Sequence, residues 1–141
     1  SAAVAFDAQH KFFRLQITSA AYSDPHLQNM SAISLKPNDV VIAISQSGRT
    51  QTLLDSMALA KQSGGIVIAL APSGTPVAEQ ASIAIEVNAT EDTKIYTPLS
   101  SRIAHLEMID VLAIGVAQKK GPKLEEHLKL MQAGLSSLRC H

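Results

Sequence analysis

Two runs, Asp39-Val40-Val41-Ile42-Ala43-Ile44 and Ile66-Val67-Ile68-Ala69-Leu70-Ala71, are rich in β-branched residues and, apart from the opening aspartate, apolar at every position. A strand with one wet face alternates apolar and polar side chains, so strands apolar throughout need cover on both faces. Between the runs, Leu53, Leu54, Met57 and Ala60 recur at helical spacing, and that pattern stops at Gly64-Gly65, a helix-ending signal. A third run, Ile83 to Val87, follows another short stretch. Strands that alternate with helices read as parallel strands joined by crossovers. The fold class expected is therefore α/β, a three-layer αβα sandwich around a parallel sheet. A weaker run, Gln16 to Tyr22, is the candidate for a strand before these three.

Helical patterns flank the strands. Residues 1–15 place Val4, Ala5, Ala8, Phe12 and Leu15 on one face, with Ser1 as the capping residue. Thr97-Pro98 has the form of a cap followed by proline at the first helical position, and Leu99, Ile103, Leu106, Ile109, Ala113 and Val116 continue to Gly121-Pro122. That length is about six turns. The last helix carries Leu124, Leu128, Met131, Leu135 and Leu138 as a narrow seam, suited either to an oligomer contact or to packing on its own domain. Met30, Met57, Met108 and Met131 read as core filler.

Composition narrows the function classes. A chain of 141 residues is the length of one domain. Twelve Lys and Arg balance twelve Asp and Glu, so no basic excess is present to neutralise a phosphate backbone, and a small acidic or neutral ligand remains open. Residues 119–141 hold five basic side chains against two acidic ones, which reads as a solvated face. Apolar runs fall well short of the roughly 18 residues of a membrane span, so no membrane partner is expected. No signal-peptide pattern opens the chain, and a single cysteine, Cys140, leaves no internal disulfide; the expected compartment is the reducing cytoplasm.

The segment Ser45-Gln46-Ser47-Gly48-Arg49-Thr50 runs from a strand into a helix. In open α/β sheets, ligands bind at the C-terminal ends of strands. Glycine allows a tight turn, the hydroxyls donate hydrogen bonds, and the free N–H groups of the next helix point the positive end of its dipole at the same place. An anion gains about 0.3–1 kcal/mol from the dipole and about 1.5–3 kcal/mol from each charge-assisted hydrogen bond. The competing reading is that these hydroxyls only satisfy a turn and a cap.

The segment Ile44-Ser45-Gln46-Ser47-Gly48-Arg49-Thr50 resembles the S-x-S-G-x-T loop of sugar isomerase (SIS) domains, a phosphosugar-binding module. With the opening SAAVAFDAQHKFFRL, the stretch DPHLQNMSAISLKPNDVVIAISQSGRTQTLL and the helix SSRIAHLEMIDVLA, nearly the whole chain resembles the effector domain of RpiR-family bacterial transcription regulators, in particular their HexR group. The resemblance implies a five-stranded parallel sheet in flavodoxin-like order, self-association as a dimer or tetramer, and a sugar phosphate that switches a separate helix-turn-helix. DNA would then be bound only through that domain, which residues 1–141 do not contain. Carried over, the phosphate site comprises Ser45, Ser47 and Thr50, with Gln46 and the Gly48 backbone near the sugar. Ser1 matches the serine ending the glycine-rich turn after the family's first strand. That strand is expected just before Ser1, at the centre of the sheet, so the domain reads as N-terminally truncated.

SIS enzymes that interconvert ketose and aldose phosphates resemble the chain too, and they need a carboxylate base. Glu91 follows the last strand, but the spacing after it fits an enzyme poorly. His105 and Glu107 lie about 200° apart on a helix and do not address one substrate together. The expectation is a sensor with no catalytic residues and no cofactor. Arg49 stands where many SIS enzymes have glutamate, and Arg102 lies beside Ser100 and Ser101; guanidinium suits carboxylate or phosphate. The HexR resemblance implies 2-keto-3-deoxy-6-phosphogluconate, whose two anionic ends suit two arginines. Ser101, Arg102 and His105 complete the candidate ligand set, with an SIS isomerase as the alternative function. His26, after Asp24-Pro25, is open to a place at the pocket mouth but reads more simply as a turn residue, and His10, His127 and His141 show no metal-ligand spacing.

Overall fold

The computed structural model of the chain describes residues 2–89 and 100–139. In chain order its elements are α1 (Ala2–Arg14), α2 (Pro25–Ile33), β1 (Val40–Ile44), α3 (Gln51–Gln62), β2 (Ile66–Ala71), α4 (Pro76–Gln80), β3 (Ile83–Glu86), α5 (Ser100–Lys120) and α6 (Pro122–Ser136). The three strong apolar runs are the three strands. They lie in the order β1-β2-β3, all parallel, with Val40 opposite Ile66 and Ile68 opposite Ile83.

Strand alternation divides the side chains between two cores. Ala43, Val67, Ala69 and Ala71 turn to one face, where Met57 and Ala60 of α3, Ala32 of α2 and Val77 of α4 cover them. Ile44 and Leu70 turn to the other, against Val4 and Ala8 of α1 and Ile109 of α5. Both faces are thus covered by helices, as continuous apolar strands require. Each large aliphatic side chain buried this way stabilises the fold by about 1.5–3 kcal/mol.

Local signals set the element ends. Asp24 caps α2 by accepting from the Leu27 N–H at 3.0 Å, with Pro25 opening the helix. α3 ends at Ser63, Gly64 turns the chain at φ +89°, and the Ile66 N–H donates to the Asp39 carbonyl at 2.8 Å to begin the β1–β2 ladder. On the other face, Lys11 of α1 is bonded to Asp110 of α5 and pairs with Asp7 at 2.9 Å.

Several expectations are corrected. Residues 16–22 form no strand: Gln16 turns at φ +61°, and Ser19 is tied to α1, its Oγ donating to the Gln9 carbonyl at 3.3 Å. A cavity of about 280 Å³ is lined jointly by Tyr22, by Ile42 and Ile44 of β1, and by Ala2 and Ala5 of α1. A strand needs a neighbouring ladder for its N–H and C=O groups, and across this cavity the segment has none. Among the described residues the sheet therefore has three strands, without the one expected at 16–22. In α6 only Leu124 is buried, while Leu135 and, just past the helix end, Leu138 are exposed, so in-domain packing accounts for just the start of the leucine seam. Met57 is core filler, whereas Met30 is exposed. Ser1, Glu91, Thr97-Pro98, Cys140 and His141 lie outside the described residues. Among the described residues no helix is long and apolar enough to cross a membrane.

Candidate anion-binding site

The site begins where β1 stops. The Ser45 N–H donates to the Leu70 carbonyl at 3.0 Å, carrying the ladder one residue past the strand before the chain turns. The Ser45 side chain is buried, and its Oγ accepts from the Gly48 N–H at 2.9 Å and lies 3.3 Å from Thr50 Oγ1. Ser47 is exposed, with its Oγ accepting from the Arg49 N–H at 3.2 Å. The loop is closed by its own hydroxyls. Gly48 sits at φ +69°, and a side-chain carbon there would fall 2.1 Å from Thr75 Oγ1. Only glycine meets both conditions.

Thr50 is the N-cap of α3, and its carbonyl accepts from the Leu53 and Leu54 amides at 3.1 Å. Its side chain makes no capping hydrogen bond, and no acidic residue stands in the first turn of α3. The positive end of this helix is therefore not matched by a side chain of its own, which leaves an electrostatically favourable place for an external anion. Arg49 is exposed on the same loop. The hydrogen bonds of Ser45, Ser47 and Thr50 join loop groups to one another, and none reaches a carboxylate or imidazole among the described residues. Such a loop can hold an anion.

Helix geometry relates the α5 candidates to this loop. Ala2, at the start of α1, lines the same cavity as Ile44 and Thr50, which places it at the C-terminal end of β1. Lys11 meets Asp110, and Lys120 Nζ donates to the Gln16 carbonyl at 3.5 Å, so α1 and α5 run in the same direction. Ala2 precedes Lys11 by nine residues and Ser101 precedes Asp110 by nine, roughly 13 Å along each helix. The first turns of α5 therefore lie at the loop end of the sheet. Ser101, His105 and Ile109 recur every fourth residue and are the buried residues of that helix. Arg102 is exposed on its first turn.

Of the sequence-predicted residues, the structure brings Ser45, Ser47, Gly48 and Thr50 into one bonded loop, with Gln46 half-buried beside them. Ser101, Arg102 and His105 share the same end of the molecule, while Ser1 falls outside the described residues. Sequence reasoning missed the loop after β2. There Thr75 is buried over Gly48, and Ser73 is clipped by Asn88, whose Oδ1 accepts from the Ser73 N–H at 2.9 Å and from its Oγ at 3.1 Å. The signal was present: Pro72-Ser73-Gly74-Thr75-Pro76 is a second glycine-and-hydroxyl turn directly after a strand. No group of three or more His, Cys, Asp or Glu side chains is gathered as for a metal ion among the described residues.

Comparison with known proteins agrees with this geometry. The family model of the SIS domain matches residues 1–115. The chain belongs to the SIS domain family. It is 43% identical over 139 residues to the HTH-type transcriptional regulator HexR of Escherichia coli K12, an alignment covering 99% of this chain and 48% of that protein. It is 38% identical over 139 residues to HexR of Pseudomonas aeruginosa, covering 99% of this chain and 49% of that one. This SIS chain thus spans about half the length of both regulators. Among solved structures, the Vibrio vulnificus NanR protein complexed with ManNAc-6P shares the fold with a TM-score of 0.86 at 19% identity, over 99% of this chain and 53% of NanR.

Proposed function

We propose that the chain is the effector domain of a bacterial transcription regulator of hexose carbon metabolism, and that it senses a sugar phosphate without transforming it. The observation that carries this reading is the Ser45–Thr50 loop, a hydroxyl-rich turn closed on itself at the uncapped start of α3. Phosphate would exchange the loop's internal hydrogen bonds for charge-assisted ones to Ser45, Ser47, Thr50 and the neighbouring amides, with Gln46 and Gly48 beside the sugar. Three or four such contacts, at about 1.5–3 kcal/mol each, reach the roughly 8 kcal/mol of micromolar affinity. Ser1, Ser101 and His105 would complete the pocket.

The proposed effector is 2-keto-3-deoxy-6-phosphogluconate, with Arg49 or Arg102 on its carboxylate. Similarity to HexR over 99% of the chain supports a regulator, and the NanR complex with ManNAc-6P shows that a related fold accommodates a sugar phosphate. DNA binding would belong to a helix-turn-helix outside these 141 residues, and the working form would be a dimer or tetramer in the cytoplasm. Among the described residues no strand pairs with β1 beside the 280 Å³ cavity, and that edge would suit one more strand of this domain leading into α1. Switching requires the effector to bind two states of the regulator with different affinity.

An NMR titration that follows the ligand's own signals tests the reading. Added to 2-keto-3-deoxy-6-phosphogluconate, the domain should broaden its signals saturably with no new peaks. Aldose product growing from fructose 6-phosphate would replace the sensor with an SIS isomerase.

A further inference from the structure

Thr75 occupies an unusual position for an N-cap. A capping threonine usually accepts from an amide in the first turn of its helix, yet Thr75 makes no such bond to α4. Its Oγ1 donates backwards to the Pro72 carbonyl at 2.7 Å, and the residue is buried. This rotamer lays the hydroxyl, Cβ and methyl group over Gly48, where an added carbon would meet them at 2.1, 2.4 and 2.7 Å. From the same turn the Val77 N–H donates to the Gly48 carbonyl at 3.0 Å. The turn is in turn anchored by Asn88 on Ser73. Gly48 is thereby held by a hydrogen bond on its carbonyl and by a packed side chain over its α-carbon.

We propose that Thr75 is a positioning residue for the anion loop: bonded to Pro72, it fixes Gly48 in its left-handed conformation and so aims the Ser45–Thr50 hydroxyls and amides. The inference rests on the phosphate reading for its consequence, whereas the positioning itself is independent of any ligand. Valine at 75 keeps the shape and loses the hydroxyl, so the side chain is free to rotate off Gly48. Serine keeps the hydroxyl, and with it the bond that sets the rotamer.

The test compares Thr75→Val, Thr75→Ser and a control, Val67→Ala, which opens the buried core away from the loop. Two quantities are read: hydrogen exchange of the Gly48 amide without ligand, and affinity for inorganic phosphate by calorimetry. In Thr75→Val, losing the hydrogen bond should raise Gly48 exchange about tenfold and weaken phosphate about fivefold. Thr75→Ser should return both toward the wild type, and Val67→Ala should lower the melting temperature while leaving phosphate affinity unchanged. Unaltered Gly48 exchange in Thr75→Val, or equal effects of valine and serine, would overturn the inference. A wild-type protein that binds no phosphate would overturn the proposed function instead, and the exchange measurement would still decide the role of Thr75.

Discussion

The two ends of the sheet treat polarity in opposite ways. At the N-terminal ends of the strands, Val40, Ile66 and Ile83 are 52%, 38% and 53% exposed; at the C-terminal ends, Ser45 and Thr75 are 2% and 6% exposed. Apolar side chains meet water at one end, and hydroxyls are buried at the other. Single exposed aliphatic residues are ordinary on protein surfaces. A buried hydroxyl is costly unless paired, by about 1–3 kcal/mol. The chain meets that cost by bonding Ser45 to Gly48 and Thr75 to Pro72. A well-packed apolar turn would close the C-terminal end at least as well, and the polar construction there is what the proposed anion site requires.

The sharpest break of this comparison is Gly48→Ala. With its new carbon 2.1 Å from Thr75 Oγ1 and φ at +69°, the variant should lose roughly 2–4 kcal/mol in urea unfolding and all measurable phosphate binding. Wild-type stability would show that the two loops are not in contact as described.

Ser45→Ala comes next. It strands the Gly48 N–H and should cost about 1–3 kcal/mol, with phosphate affinity falling about tenfold in the NMR titration. A variant that binds normally would make Ser45 a turn residue and no more.

Arg49→Ala sharpens the comparison within the polar end, because Arg49 is exposed. Stability should stay within about 0.5 kcal/mol, while 2-keto-3-deoxy-6-phosphogluconate should weaken more than fructose 6-phosphate, which lacks the carboxylate. Equal weakening of both ligands would remove Arg49 from the carboxylate.

At the apolar end, Ile83→Thr should change stability by less than about 0.5 kcal/mol and leave phosphate affinity untouched. A loss of binding there would erase the distinction between the ends.

The smallest effect concerns Lys11, on α1 between the two. Its hydrogen bonds to Asp110 and then Asp7 raise its pKa above the ordinary lysine value. A raised pKa means that the folded state holds the proton more tightly than the unfolded chain. The stabilisation is therefore complete below the ordinary lysine value and is lost as pH climbs through the raised one. Lys11→Met should flatten the alkaline limb of a stability–pH curve, and an unchanged limb would show that the pair contributes nothing.

Much of this architecture was legible because its signals are local. Three β-branched runs and the Gly64-Gly65 stop each appear at the position the sequence indicates, whereas the Asp24-Pro25 pair, read as part of a turn, caps and opens α2. The Ser45–Thr50 loop was legible too, since strand, hydroxyls, glycine and helix follow one another along the chain. Gln16–Tyr22 failed as a strand because strand formation is settled by a partner, and the cavity beside β1 supplies none to that segment. Met30, Leu135 and Leu138 have apolar spacing and are nonetheless mostly exposed among the described residues. Periodicity shows which face is apolar, but it says nothing of what covers that face.

By itself the sequence determined the three strands, the helical stretches on either side of them, the parallel α/β class and the hydroxyl-and-glycine make-up of the loop, since apolar period, turn residues and caps act over a few residues. The tertiary structure alone decided that Thr75 lies over Gly48, 27 residues away in the chain, that Asn88 clips Ser73, and that Ser101 and His105 are buried at the loop end. Those relations depend on strand register and on the parallel run of α1 and α5. Both are set by side chains from distant segments competing for the same buried space, and no window of neighbouring residues contains that competition.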